Sequence, residues 1–124
     1  MSKKFTTTLF AFALVLSLSI MAAAQDSHKS VTLTGNILDV ACSAKATTAE
    51  AAANHKKGCA LSPGCSKSGY GVYADGKFVA FDEAGTAKAK EALEKTSKPN
   101  GAKFKVMGMV HEGKMMVESI TEVE

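Results

Sequence analysis

Cys42, Cys59 and Cys65 are the chain's whole cysteine complement, and His55 lies among them. Three thiols and an imidazole make the ligand set of a Cys3His structural zinc site. Thiolates are soft enough to take Cu(I) as well. His55 and Cys59 stand four apart across Gly58, close enough to face one ion. Cys59 and Cys65 flank Pro63-Gly64, a turn able to wrap it. An odd number of cysteines also suits a metal better than a disulfide framework. The competing chemistry is a Cys42–Cys65 disulfide, with Cys59 as the alternative partner of Cys42. Either bridge closes a loop of about 18 to 24 residues, worth on the order of 3 kcal/mol by chain entropy. Spacing alone does not choose between them. Asp39, three residues before Cys42, suits either of two tasks. It can accept backbone bonds where the loop begins, or orient a metal-bound histidine.

Other reactive arrangements are missing. The chain has neither the Cys-x-x-Cys of thioredoxin-like enzymes nor the Cys-x-x-Cys-His of haem attachment. It has no Gly-rich phosphate loop and no His-Glu-x-x-His. Lys56, Lys57 and His55 offer positive potential near Cys59, yet a lone thiol also needs a positioned base. No enzymatic activity is expected. A weaker metal signal is Met107, Met109 and His111, spaced along one face of an expected strand and followed by Met115 and Met116. Thioether and imidazole suit Cu(I), but methionine also serves as filler in irregular gaps. Tyr70 and Tyr73 read as core or rim.

The elements that carry these groups begin behind a leader. Lys3 and Lys4, the apolar run Leu9 to Met21, and Ala22-Ala23-Ala24 before Gln25 have the form of a cleaved signal peptide over residues 1–24. The run is short for a membrane span. Export to the periplasm or medium is therefore expected, with residues 25–29 flexible, a single domain over 30–124 and no transmembrane segment after cleavage. Removing Lys3 and Lys4 from the 15 lysines leaves 13 against 12 acids, a formal charge of +1. The chain contains no arginine. That balance argues against nucleic acid, whose phosphates and guanines favour arginine's planar fork. The sequence names no partner; a cell-envelope protein is one candidate class. A core this small would gain from a covalent or metal staple.

Val31 and Leu33 alternate with Thr32 and Thr34, so residues 30–40 read as a first strand. Gly35 within it predicts a bulge or sharp bend. Thr47 and Glu50 form a Thr-x-x-Glu capping box for a helix over about residues 48–57, which Gly58 stops. Residues 62–69 read as loop. Strands over 70–74 and 77–81 flank Asp75-Gly76, a type I′ hairpin signal. Residues 82–85 read as a turn. A helix over about 86–96 puts Ala89, Ala92, Leu93 and Thr96 on one face. A strand over 103–111 points Phe104, Val106 and Val110 inward, then turns at 112–114 into a last strand over 115–123. Five strands with a helix between the third and fourth is the order of the OB-fold, a five-stranded barrel. The expected class is mainly β (α+β), OB-like, with the cysteine segment a helical insertion between strands one and two. An open α+β sheet with both helices on one face is the alternative.

Gly35-x-Ile37-x-Asp39-x-x-Cys42, His55-x3-Cys59-x5-Cys65, Gly69-Tyr70-Gly71-Val72 and Val106-x-Gly108 together resemble small exported bacterial proteins. The resemblance spans almost all of the chain after the leader. It implies a compact β-rich domain and no settled activity. Small periplasmic copper chaperones of the five-stranded OB type are similar in size, compartment and Met/His content. Their copper site includes a tryptophan, which this chain lacks, so no residue is carried over.

Overall fold

The computed structural model describes residues 29–124; the expected leader and residues 25–28 lie outside the described residues. The elements are β1 (Ser30–Asp39), α1 (Val40–Ser43), α2 (Ala49–Ala53), α3 (Lys57–Ala60), α4 (Pro63–Ser66), β2 (Tyr70–Ala74), β3 (Lys77–Phe81), α5 (Glu83–Lys95), β4 (Lys103–His111) and β5 (Lys114–Val123). The five strands close on themselves in the order β1-β2-β3-β5-β4. The open-sheet alternative is thereby overturned. Among the described residues, no helix is long and apolar enough to cross a membrane.

Ring closure starts in β1. Ser30 to Gly35 pair with β4, and Asn36 to Asp39 pair with β2, all antiparallel. The strand serves two neighbours in succession, and Gly35 sits at the change. A Cβ there would lie 1.8 Å from the Tyr73 carbonyl oxygen, so only glycine lets the two backbones approach. The β4–β5 pair carries the register shift: Met107 faces Ser119 and Gly108 faces Val117, leaving Glu118 of β5 as the extra residue. Both hairpins use the expected turns. Asp75 and Gly76 have φ of 51° and 78°, and Glu112 and Gly113 have 49° and 77°. Two successive left-handed residues are what a type I′ turn requires. The last seam is short and parallel, pairing Ala80 with Lys114 and Phe81 with Met115.

Side chains facing into the ring form the main core. Tyr70, Val72, Phe104, Val106 and Met115 are essentially inaccessible. Val110, expected to line the interior, is 43% exposed because β4 outruns the ring at that end. Helix α5 packs on β2 and β5 through Ala89 and Leu93. It starts three residues earlier than expected. Asp82 caps it, accepting from the Gly85 amide at 2.8 Å, so the expected turn at 82–85 is its first turn. On its wet side Lys90 pairs with Glu94 and Lys95 with Glu91.

The expected single helix over 48–57 is two helices, α2 and α3, broken at Asn54 to Lys56. Thr48, not Thr47, is the cap: its hydroxyl accepts from the Ala51 amide at 3.1 Å. The Thr47 carbonyl instead accepts from the Tyr73 hydroxyl. Gly58 lies inside α3 rather than ending a helix, and the expected 62–69 loop contains α4 with Pro63 in its first turn. Beneath α2, Ala46 and Ala52 pack on Leu38 and Tyr73 as a small satellite core. Such short helices are not stable alone. Tertiary bonds must hold them.

Candidate metal centre

Those bonds begin at Asp39, the last residue of β1. It is fully buried, and its Oδ2 accepts from the Cys42 amide at 3.0 Å, capping α1. The Val40 amide donates to Gly69 O at 2.9 Å. The Ser68 hydroxyl accepts from the Ala41 amide at 3.0 Å and donates to Cys65 O at 2.6 Å. Together they lash α1 to the end of α4, which sets Cys42 beside Cys65. Helix α3 is fixed from the other side. The Lys57 amide donates to Pro99 O at 2.8 Å, and its ammonium to Thr96 O at 2.7 Å. The buried Tyr70 hydroxyl donates to Ala60 O at 2.7 Å. Cys59, between Lys57 and Ala60, is thus delivered to the other two cysteines.

The result is two overlapping triads. The Sγ atoms of Cys42, Cys59 and Cys65 all lie within 4.8 Å of one another. Donor atoms of Asp39, Cys42 and His55 do the same. Cys42 belongs to both. The expected four-ligand set is therefore divided: His55 reaches Cys42 but does not join Cys59 and Cys65 within that distance. The cause is Asp39. His55 Nε2 donates to Asp39 Oδ1 at 2.7 Å, and the imidazole is only 12% exposed. Asp39 thus takes the expected place of acceptor at the loop's start, and its second oxygen holds the His55 imidazole.

All three cysteines are free thiols. The expected Cys42–Cys65 disulfide, and its Cys59 alternative, are not formed. Hydrogen bonds already hold the loop's base, and the sulfurs stand farther apart than the ~2.05 Å of a disulfide. Around an ion at about 2.3 Å, sulfurs sit roughly 3.8–4.0 Å apart. A trio within 4.8 Å needs little adjustment to reach that spacing. The donor chemistry therefore fits a soft or borderline transition metal.

The field at Cys42 favours the neutral thiol. Loss of solvation, followed by its hydrogen bond to Asp39 and that carboxylate's charge, pushes its pKa up to about 12; Cys65 adds a smaller push. A thiol so placed is a poor nucleophile without help. A coordinated cation reverses that preference, since a metal-bound thiol is deprotonated outright. Cys59 is exposed, and with Lys56, Lys57, Gly58, Pro99 and Asn100 it lines an open groove of about 560 Å³. The trio is therefore reachable from solvent.

The weaker expected group lies elsewhere, on β4. Met107 and His111 are exposed and Met109 is half-buried among the described residues. Sequence reasoning missed Ser68 and read Lys57 only as positive charge near Cys59, whereas the bonds of both assemble the trio. Their only sequence signal is a small hydroxyl before Gly69 and a lysine at a helix start. Compared with known proteins, the chain matches no family model, no curated protein and no solved structure.

Proposed function

We propose that this chain is a small exported binding module, an OB-like domain whose α1–α4 excursion holds a transition metal through Cys42, Cys59 and Cys65. The supporting observation is the meeting of three sulfurs from three separate helices within 4.8 Å. Three soft donors without a fourth protein ligand suit Cu(I). Zn(II) fits if water completes a tetrahedron. Buried Asp39 and His55 act as the supporting pair that positions Cys42 rather than as direct ligands. Binding, not catalysis, is the proposed activity.

The same proximity favours a second reading, a disulfide-stapled envelope or interaction domain. The Sγ atoms of Cys42 and Cys65 lie within 4.8 Å of each other, so an oxidant would join them and leave Cys59 alkylatable. Native mass spectrometry of protein recovered from its own compartment, with thiol counting, separates the two. The metal reading expects one ion held by the three thiols, lost when Cys59 becomes serine. A metal-free mass two hydrogens light, with one free thiol, supports the staple and overturns the metal site.

A further inference from the structure

We infer that the outer face of the β4–β5 hairpin carries a second soft-metal site, built from the thioethers of Met107, Met109 and Met116, for Cu(I). The register places Met109 directly opposite Met116. Side chains of directly opposed residues share a face, with Cβ atoms about 4.5–5.5 Å apart. Met107 lies two residues before Met109 and so faces the same way. His111, two residues beyond, stands at the rim of that face with half its side chain exposed. Gly108, between the two β4 methionines, faces inward, and a Cβ there would lie 2.1 Å from Met116 O. The hairpin backbones therefore approach closely where the thioethers gather.

Exposure decides between ligand and filler. Met107 is 36% and Met116 44% exposed, whereas neighbouring Met115 is completely buried in the ring. Methionine as filler belongs in a gap, as Met115 does. Flexible thioethers left open on either side of half-buried Met109 can converge on one ion. Being neutral, they cannot offset a hard divalent cation and select a soft monovalent one. These donors are separate from the cysteine trio, so the two sites stand or fall independently.

The test is titration of the reduced full chain with Ag(I), a redox-inert stand-in for Cu(I), followed by methionine methyl NMR. The methyls of Met107, Met109 and Met116 should shift together as one equivalent fills, while that of Met115 stays put. A doubly substituted Met109→Leu, Met116→Leu chain should bind one equivalent less and keep its thiol binding. If the cysteines bind nothing, the methyl shifts come with the first equivalent, so failure there is seen separately. Three outcomes overturn the site: no methyl shift by three equivalents, a matching shift at Met115, or unchanged stoichiometry in the Leu variant. The first would leave the patch as a plain apolar surface.

Discussion

Asp39 has no accessible surface, and its two oxygens have different duties: one caps α1 at Cys42, the other holds His55. Removing both should cost more than removing one. Asp39→Ala deletes the cap and strands the imidazole, and a loss of about 2–4 kcal/mol is expected from cap and buried-donor terms. Asp39→Asn keeps an oxygen for the Cys42 amide but sets an amide against His55, and should cost roughly half as much. Urea unfolding of the two variants checks the order, and equal losses would remove His55 from the account. Tyr70 offers a pH handle. Burial first, then the charges of Asp39, Glu94 and Cys65, raise its phenol above the ordinary 10.0. A raised folded pKa means the folded state keeps its proton while the unfolded chain loses it. The associated stability is complete below pH 10.0 and drains away as pH climbs through the folded value. In a Tyr73→Phe chain, tyrosinate absorbance should therefore appear only above pH 10.0, and its onset should coincide with falling stability.

Glycine positions separate the elements that tolerate change from those that do not. Gly35 sits where β1 changes partner, against the Tyr73 carbonyl. Gly35→Ala must push two strands apart and should destabilise by about 3 kcal/mol or more. Gly64, in α4, has open space where a Cβ would go. Gly64→Ala should be neutral or add up to about 1 kcal/mol by narrowing the unfolded ensemble. Thermal melts of the pair test the contrast, and similar shifts would contradict the assigned role of Gly35. The cysteine excursion resembles Gly64 more than Gly35: its four helices are four or five residues each and bury mainly alanines. Its order comes from hydrogen bonds at its ends.

The molecule is accordingly uneven in stability. A closed ring with an aromatic core carries one excursion that is laced rather than packed. Regions with few buried apolar groups open first. Amide exchange of the metal-free protein should be faster across residues 40–66 than in β1, β2 and β4. A saturating metal should protect that segment selectively, and the melting temperature should rise, by about 2.7 kcal/mol in stability at a hundredfold excess over Kd. Chelation should reverse both. Uniform protection across ring and excursion, with or without metal, would contradict the placement of the site. The parallel Ala80–Phe81 and Lys114–Met115 seam is the ring's shortest joint, and it should exchange next.

How much of this could be read in advance depends on how local each cause is. Alternation in Val31 to Thr34, the Asp75-Gly76 turn and the Ala89, Leu93, Thr96 face are written in adjacent residues, and the structure follows them. The divided helix over 48–57 is not so written, because Thr47 is taken by Tyr73 and Lys57 by Pro99 and Thr96, all distant in sequence. The cysteines and His55 were identifiable by type, as the soft donors crowded into one segment. Their division into a sulfur trio and an Asp39–His55 pair was not, since a buried carboxylate from β1 claims the imidazole. Residue type and short-range pattern therefore determined the strands and the inventory of donors. Tertiary contacts alone decided which donors meet, because hydrogen bonds between remote segments place each sulfur.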